Sequence, residues 1–301
     1  MDVAVTGSSG LIGRALARSL ADDGHRAIPI VRRAASDGEI RWDPDAGDID
    51  AAGLEGLDAV VHLAGEGIAA RPWTARQRHR IAESRRAGTD VLCTALARLS
   101  TPPAVLVSGS AIGYYGERGD DVLIESAPPG EDFLAGVCVA WEAATAPASA
   151  AGVRVAHIRT GIVLDAHGGA LAKMLPAFRW GLGGRAGDGH AWMSWVSIAD
   201  EVRAIRHAIE DASLRGPLNV TAPHPVRNAD FTEALGAAVD RATRLTIPSA
   251  LRRVPFGVGD LVDNLLFTSI RATPAALESS GFAFEHPTID VALAAVLADG
   301  R

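Results

Sequence analysis

The sequence predicts an α/β fold with a doubly wound parallel sheet and a smaller C-terminal α+β domain. Short apolar segments with the composition of buried strands alternate with amphipathic segments of helical spacing. This alternation is typical of βαβ units, which give a parallel sheet covered by helices on both faces. The predicted strands are Val3–Thr6, Arg26–Val31, Ala59–Ala64, Ala104–Ser108 and Val153–Ile158.

A glycine-rich turn joins the first predicted strand to the first helix. We expect Gly7 to permit the tight turn, Gly10 to admit a pyrophosphate to backbone N–H groups, and Gly13 to let the helix lie close to the sheet. The helix N-terminus adds the positive end of its dipole. The pattern therefore predicts a Rossmann-like dinucleotide site. Its expected contacts are Gly7, Ser9, Gly10, Leu11, Ile12 and Gly13.

The end of the second strand bears on the choice between NAD and NADP. NAD sites usually place Asp or Glu there to bind the ribose 2′-hydroxyl, whereas this chain has Arg32 and Arg33. A guanidinium suits a 2′-phosphate, because it forms charge-assisted hydrogen bonds with phosphate oxygens. We therefore predict NADP, bound by Arg32 and Arg33. The alternative is that Asp37 or Glu39 folds back to the ribose of NAD.

Composition and charge restrict the expected partners and location. The 301-residue chain has a formal net charge of -7 with both signs interspersed, which argues against a nucleic-acid surface. No uninterrupted apolar stretch reaches the roughly 18 residues that cross a bilayer, and strand-like residues begin at Asp2. We expect a cytoplasmic protein with a small-molecule substrate and no membrane partner. The oligomeric state stays open.

Cysteine and histidine spacing gives no metal-binding pattern. Cys93 and Cys138 lie in apolar helical segments without CxxC spacing, so we expect buried thiols. The nine histidines show no paired spacing such as HxxEH. We therefore predict no structural metal.

A basic helix is predicted after the third strand. Thr74 and Gln77 form a capping-box pair that marks its start, and the segment from Arg76 to Arg86 is rich in arginine. Two interpretations are open. The arginines form a solvated face with partners such as Glu83, or one or two of them point inward at a cofactor phosphate.

Further motifs lie at the ends of the predicted strands. They are the segment from Asp58 to Gly65, the segments Ser108-Gly-Ser110 and Gly113-Tyr-Tyr115, and the segment from Arg159 to Leu164. With the glycine turn, these motifs resemble the extended short-chain dehydrogenase/reductase family. The resemblance is strongest to its atypical epimerase-like branch, which carries a C-terminal DUF1731-type module. In this chain that module is expected at about residues 248–295.

The resemblance implies NAD(P) binding and a particular domain organisation. A Rossmann-like domain is expected at residues 1–160, with a strand return near 190–220, and residues 161–301 are expected mainly to cover the substrate. The resemblance brings no known substrate. It implies further cofactor contacts at Leu63, Ala64, Gly65, Arg85, Ser108 and Val163.

The chain departs from the family at its catalytic pair. The family normally uses Tyr-x-x-x-Lys on one helix, in which the phenol is the acid/base and the lysine lowers its pKa. The only lysine here is Lys173, and Gly169 stands four positions before it. Where the motif should fall, the segment from Phe133 to Cys138 places apolar residues at both positions. The usual proton relay is therefore absent or rebuilt.

Four residues are candidates for a rebuilt relay. Ser110 matches the family's substrate-orienting serine, and Tyr114 and Tyr115 follow it closely. A structural role for the two tyrosines, packed over a turn, is equally open. Lys173 would serve as a base if burial depressed its pKa, and otherwise is a surface residue.

Two functions are compatible with these features. One is an NADP-dependent oxidoreductase or epimerase that acts on a small carbonyl or sugar-like substrate, with Ser110 orienting it and Tyr114 or Tyr115 exchanging a proton. The other is an NADP(H)-binding sensor or interaction protein that has lost the chemistry. The missing Tyr and Lys motivate the second.

Overall fold

The computed structural model describes residues 1–298, so the last three residues of the predicted 161–301 region lie outside it. The strands are β1 (Asp2–Thr6), β2 (Arg26–Val31), β3 (Ile40–Asp43), β4 (Asp48–Ile49), β5 (Ala59–His62), β6 (Val105–Ala111), β7 (Val122–Leu123), β8 (Arg154–Thr160), β9 (Ile162–Leu164), β10 (Gly184–Ala186), β11 (Trp192–Met193), β12 (Trp195–Ser197), β13 (Gly216–Val220), β14 (Val226–Arg227), β15 (Leu245–Ile247) and β16 (Arg271–Ala272). The α-helices are α1 (Leu11–Asp22), α2 (Ala75–Leu96), α3 (Phe133–Ala143), α4 (Ala146–Ala150), α5 (Gly169–Arg179), α6 (Ile198–Glu210), α7 (Asn228–Ala238), α8 (Val258–Val262), α9 (Ala275–Ser279) and α10 (Ile289–Ala298). Short 3-10 turns span Ala52–Leu54, Ile112–Tyr115 and Ser249–Arg253, and a π turn spans Asp263–Phe267.

The central sheet of the described residues has eight strands in the order β13-β8-β6-β5-β1-β2-β3-β4. Neighbouring strands pair in parallel except β4, which is antiparallel to β3. From β1 the chain moves outward through β2 and β3, then returns and moves the other way through β5, β6 and β8. The predicted doubly wound fold is therefore confirmed. Its switch point lies between β1 and β5, where folds of this kind bind their ligands.

Helices cover both faces of this sheet. Val61 and Val107 point to the face that carries α1 and α6, whereas Val60 and Leu106 point to the face that carries α2 and α4. Successive side chains of a strand alternate between faces. Because both faces are buried, inner strands such as β1 and β5 are largely apolar along their length rather than alternating.

The glycine turn adopts the geometry that its spacing predicts. Gly7 has φ +67°, in the left-handed region, and a Cβ there would lie 3.0 Å from the carbonyl carbon of Leu63. A Cβ on Gly13 would lie 2.3 Å from the carbonyl oxygen of Gly7. Gly10 is the N-cap residue of α1. Because glycine has no side chain, it cannot accept a hydrogen bond from the first backbone N–H groups of the helix.

A smaller second core lies beside the sheet. It is built by α5, α7 and α10 with β9 and β12, and Trp195 and Phe231 are its largest fully buried side chains. The C-terminal segment is distributed over the molecule, because α10 packs in this core while Leu277 of α9 packs against the main sheet. The final segment therefore joins both cores.

A buried carboxylate ties the C-terminal segment to the start of α6. Asp200, which is fully buried, accepts hydrogen bonds from the backbone N–H groups of Glu285 and His286 at 2.9 Å each. It also accepts one from Arg203 at 2.9 Å. Four donors around one carboxylate, with Ser197 as the fourth, compensate for its burial.

By length and hydropathy, Phe133–Ala150 is the one stretch of residues 1–298 that resembles a membrane span. It consists of two helices, α3 and α4, and it contains Glu142. Cys138 and Trp141 of this stretch are buried in the protein. The stretch has the features of core helices interrupted by a charge.

Replacing two helical glycines by alanine tests the close approach of α1 to the turn. We expect Gly13→Ala to destabilise the fold by about 1 to 3 kcal/mol, because the new Cβ overlaps the backbone of Gly7. At Gly136 in α3 a Cβ meets nothing within 4 Å. Gly136→Ala should therefore stabilise by up to about 1 kcal/mol, through helix propensity alone. Urea unfolding measures both, and equal effects would contradict the close approach.

Candidate functional site

The polar residues of the candidate site gather at one edge of the central sheet. In the parallel register, Thr6 of β1 lies beside His62 of β5, and His62 lies beside Ser108 of β6. Two residues further, Ser110 of β6 lies beside Arg159 of β8. The carboxyl ends of four strands thus bring the glycine turn and the serine segment to the same edge.

A buried histidine fixes the two strands at the switch point. His62 Nδ1 lies 2.8 Å from the Thr6 hydroxyl, and Nε2 lies 3.0 Å from the Thr89 hydroxyl. The Thr89 hydroxyl donates to the carbonyl oxygen of Arg85, so Nε2 carries the proton and Nδ1 accepts from Thr6. Burial, with the nearby Arg85 charge, lowers the pKa of His62 to about 4. The histidine is therefore neutral and structural.

This histidine also sets the segment that follows β5. The Thr6 oxygen accepts from the backbone N–H groups of Leu63 and Ala64, at 3.0 and 3.1 Å. Both residues are half-buried, and Gly65 after them is exposed. These three predicted cofactor contacts are thus held directly beside the turn at Gly7.

Two arginines of the basic helix point in different directions, one into the protein and one into solvent. Arg85 points inward, because its guanidinium donates to the carbonyl oxygen of Glu66 at 2.9 Å and lies 4.9 Å from the ring centre of Trp141. A Cβ on Gly65 would lie 3.1 Å from the central carbon of the Arg85 guanidinium. Arg86 belongs to the solvated face, where it pairs with Glu83 at 2.6 Å. Burial lowers the pKa of Arg85.

The two arginines after β2 have different surroundings. Arg33 folds back on Glu39, with two nitrogen–oxygen distances of 2.5 and 2.6 Å, so the prediction that both arginines face a cofactor needs correction. Glu39 also accepts from the backbone N–H of Ser36 at 2.8 Å. The carboxylate is therefore engaged by Arg33 and by the backbone of Ser36. Arg32 is exposed and makes no hydrogen bond or ion pair within residues 1–298.

Three other predicted contacts differ in accessibility. Ser9 is exposed within the glycine turn, and Val163 is half-buried against the core of the main sheet. Ser108 is fully buried, and its hydroxyl reaches only the carbonyl oxygen of Gly109, at 3.4 Å. Its side chain therefore offers no surface to a cofactor.

A buried ion pair lies at the ends of β6 and β8. Arg159 binds both carboxylate oxygens of Glu142, with Nε–Oε1 and Nη2–Oε2 distances of 2.8 and 2.9 Å. The Ser110 hydroxyl donates to Oε1 of the same carboxylate at 2.7 Å. Only 3% of the Arg159 side chain is exposed. Burial alone would lower the pKa of this guanidinium, but its hydrogen bonds with Glu142 raise it, so the pair is ionised.

The two tyrosines have different roles. Tyr115 is fully buried, and its hydroxyl accepts from Arg159 at 3.0 Å and donates to Asn219 Oδ1 at 2.6 Å. Burial raises its pKa. The ring of Tyr114 lies 3.4 Å from the central carbon of Arg159, while its hydroxyl has no hydrogen-bond partner in the described chain. Tyr115 is therefore a structural residue, and Tyr114 is the tyrosine with a free hydroxyl.

Lys173 lies away from this cluster. It is exposed on α5, and its Nζ donates to the carbonyl oxygen of Ala69 at 3.4 Å. A role for Lys173 as a base required a buried amine, and Lys173 is exposed. The lysine instead links α5 to the segment after β5.

Helix α3 carries the apolar segment from Phe133 to Cys138, where the Tyr-x-x-x-Lys pair was expected. Leu134 packs against Gly113, because a Cβ on Gly113 would lie 3.4 Å from the Cβ of Leu134. Cys138 lies beside Ser110. Both cysteines are buried and unpaired, and burial raises the pKa of each to about 12. Within residues 1–298 no cluster of three potential metal ligands occurs. The charged side chain that α3 contributes to the cluster is that of Glu142.

Sequence reasoning missed the charged partners of Ser110. A signal for Glu142 exists, since it is the one charge in the otherwise apolar helix α3, whereas Arg159 lies in a strand that also carries Arg154 and His157. A charge inside a buried element needs a partner. Glu201 was also missed. It is fully buried on α6, accepts from the Thr160 hydroxyl at 2.8 Å, and leaves Oε2 without a partner.

This strand order, with a glycine turn after β1 and a polar cluster at the ends of β6 and β8, defines a dinucleotide-binding protein of the short-chain dehydrogenase/reductase type. The chain belongs to the NAD-dependent epimerase/dehydratase family, whose model matches residues 3–220. A second model, described as a domain of unknown function (DUF1731), matches residues 247–296. The resemblance drawn from the motifs is thereby confirmed, including the C-terminal module.

Similar proteins cover the whole chain. Epimerase family protein Mb2239 of Mycobacterium bovis is 47% identical over 292 residues, or 97% of this chain and 96% of its own. The crystal structure of human epimerase family protein SDR39U1 (isoform 2) with NADPH has a TM-score of 0.91 and 32% identity, and covers 99% of this chain and 100% of its own. The crystal structure of a nucleoside-diphosphate sugar epimerase from Corynebacterium glutamicum has a TM-score of 0.82 and 40% identity. The match covers 99% of this chain and 58% of the Corynebacterium glutamicum chain.

The buried Glu201 makes stability depend on pH. Burial raises its pKa from 4.5 to about 8, so between these pH values the folded state holds a proton that the unfolded chain has lost. The contribution of Glu201 to the free energy of unfolding is fully present below pH 4.5 and is lost as the pH rises through about 8. The total loss is about 4 to 5 kcal/mol. Glu201→Gln keeps the acceptor for Thr160 but does not titrate.

We therefore expect Glu201→Gln to match the wild type near about pH 5 and to be the more stable protein near about pH 9 in urea unfolding. The matched control is Glu233→Gln, because Glu233 is exposed on α7. Its difference from the wild type should not change with pH. A constant difference for Glu201→Gln as well would show that Glu201 is ionised in the folded state.

Proposed function

We propose that this protein binds NADP(H) and acts as an oxidoreductase or epimerase on a small carbonyl or sugar-like substrate. The observation that carries the proposal is the ordered cluster of Ser110, Glu142 and Arg159 beside Tyr114, at the same sheet edge as the glycine turn. An ordered buried charge pair that orients a serine at a ligand-binding edge is what catalysis requires.

The chain's own residues fit a dinucleotide phosphate. The turn at Gly7 and the uncapped N-terminus of α1 offer backbone N–H groups to a pyrophosphate, and a Cβ at Gly10 would lie 3.0 Å from the carbonyl oxygen of Gly7. The free guanidinium of Arg32 suits the 2′-phosphate of NADP. The human relative crystallised with NADPH supports this cofactor. When bound, NADP(H) supplies or accepts a hydride.

Ser110 is the proposed substrate-orienting residue. Its proton is directed at Glu142, so the lone pairs of its oxygen are left to accept from a substrate hydroxyl. Arg159 holds that carboxylate from its other side with two hydrogen bonds. Glu142 and Arg159 are therefore positioning residues, which fix the direction of the serine hydroxyl.

Tyr114 is the proposed proton-exchanging residue. Its hydroxyl is unoccupied within the described chain, it follows Ser110 by four positions, and its ring lies on the guanidinium of Arg159. Because Arg159 is already paired with Glu142, its guanidinium fixes the position of the Tyr114 ring, and the proton exchange is assigned to the Tyr114 hydroxyl itself.

A sugar-like substrate has support from one relative. The Corynebacterium glutamicum structure is described as a nucleoside-diphosphate sugar epimerase, and it is 40% identical to this chain. Epimerisation through a transient carbonyl and simple carbonyl reduction need the same groups at this site, namely a hydride carrier and a proton-exchanging residue.

One observation favours the alternative, a cofactor-binding sensor without chemistry. The segment from Phe133 to Cys138 has apolar residues where the polar pair is expected, and the Cys138 thiol is neutral at physiological pH because burial raises its pKa to about 12. The alternative predicts tight NADP(H) binding with no hydride exchange to any carbonyl compound. Steady turnover with a substrate would exclude it.

Arginine substitutions after β2 test the cofactor preference. We expect Arg32→Ala to weaken NADP binding by about 1.5 to 3 kcal/mol, the value of a charged hydrogen bond, and to leave NAD binding unchanged. Arg33→Ala is the matched control, because Arg33 is already paired with Glu39. It should have a clearly smaller effect on NADP. Titration of both cofactors measures these affinities, and equal weakening of NADP and NAD by Arg32→Ala would contradict the assignment.

Phenylalanine substitutions separate the roles of the two tyrosines. We expect Tyr114→Phe to lower kcat with NADPH and a carbonyl panel by about 100-fold or more, because general acid catalysis is lost, while Tm stays unchanged. Tyr115→Phe should lower Tm, because Asn219 and Arg159 lose a buried partner. Full turnover by Tyr114→Phe would remove it from the mechanism.

A further inference from the structure

A cleft lies between the start of α2 and the C-terminal module, outside the site described above. Its volume is about 420 Å³. Three arginines form one side, Arg71 before the helix and Arg76 and Arg80 on it, and Phe256 and Val258 form the other. We call it the arginine cleft. Arg76 and Arg80 are one helical turn apart, so their side chains share a face of α2.

The arginine cleft has an excess of positive charge. Arg71 and Arg76 make no hydrogen bond or ion pair within residues 1–298, and no carboxylate lines the cleft. The carboxylate nearest to Arg80 is that of Glu66, at 3.7 Å, and Gln77 already donates to the same oxygen at 3.1 Å. Arg71 and Arg76 therefore lack an acceptor that would neutralise them, and Arg80 shares its carboxylate with Gln77.

Two other arginines of the same helix are paired with carboxylates. Arg78 binds Asp260 at 2.6 Å, and Arg86 binds Glu83 at 2.6 Å. The chain as a whole carries a net charge of -7. Three arginines and no carboxylate line the cleft, so its charge favours an anionic ligand.

The opposite side of the cleft is apolar. Phe256 is 84% exposed, the largest exposed fraction among the large apolar side chains of the described residues. Gly257 next to it is fixed on the Rossmann domain, because its carbonyl oxygen accepts from the backbone N–H of Trp73 at 3.0 Å. An exposed phenyl group held in place above a cleft gains free energy when an apolar surface covers it.

We propose that the arginine cleft binds a small organic phosphate whose phosphoryl group is attached to an aromatic or other apolar group. Arg76 and Arg80, with Arg71, bind the phosphoryl oxygens, because planar guanidinium groups match the geometry of phosphate. Phe256 covers the apolar group. The ligand contacts both the Rossmann domain and the C-terminal module, which gives that module a role in recognition. The inference does not depend on the identity of the cofactor.

Phenyl phosphate is the probe, and its binding is followed by phosphorus NMR with the whole protein, both free and saturated with NADPH. We expect saturable binding that is stronger than that of inorganic phosphate and unchanged by NADPH. Benzyl alcohol, which lacks the charge, should not compete. Addition of salt should weaken binding, because the attraction is electrostatic.

Three variants test the contacts. Arg76→Ala combined with Arg80→Ala should weaken binding of phenyl phosphate by about tenfold or more, because charge-assisted hydrogen bonds are lost. Arg98→Ala is the matched control, because Arg98 is exposed beyond the other end of α2. It should bind as the wild type does. Phe256→Ser should reduce phenyl phosphate to the affinity of inorganic phosphate.

Several results would overturn the proposal. Absence of saturable binding, or equal binding by the double variant with unchanged Tm, would show that the arginines form no phosphate site. Equal affinity for inorganic phosphate and phenyl phosphate would remove the apolar half of the assignment. Loss of binding on saturation with NADPH would show that the cleft belongs to the cofactor site.

Discussion

The buried ion pair between Glu142 and Arg159 is the interaction on which the candidate site depends. It joins helix α3 to strand β8, and its two ends fix the Ser110 hydroxyl and the buried hydroxyl of Tyr115. Removal of one partner would leave a buried charge unpaired, which typically costs about 3 to 5 kcal/mol. A pair of this kind is retained when it orients other groups, and here it orients a serine and supports the ring of Tyr114.

A second constraint holds the cofactor side of the same edge. The neutral imidazole of His62 links Thr6 of β1 with Thr89 of α2, and Thr6 in turn holds the backbone after β5. The positive φ of Gly7 brings the turn against that backbone. The two constraints together place the glycine cradle, after β1, and the oriented serine, on β6, at the same edge of the sheet, with β5 between the two strands.

The sequence predicts the local features well and the long-range pairings poorly. The glycine turn and the order of strands and helices depend on short-range spacing, and the structure agrees with them. The engagement of Arg33 by Glu39 was not predicted, and the sequence left open whether Tyr115 is structural and whether Lys173 is buried. Each depends on packing between distant segments. The Glu142–Arg159 pair spans 17 positions and forms only because α3 packs beside the end of β8.

The most direct measurement is a crystal structure of the protein with NADPH. The account predicts that the nicotinamide ring lies beside Ser110 and Tyr114, with space for a substrate atom about 3 to 3.5 Å from the reacting carbon and within hydrogen-bond reach of both hydroxyl groups. It also predicts that Glu142 keeps both hydrogen bonds to Arg159. A nicotinamide ring turned away from Ser110, or a cofactor that breaks this ion pair to bind Arg159, would contradict the account.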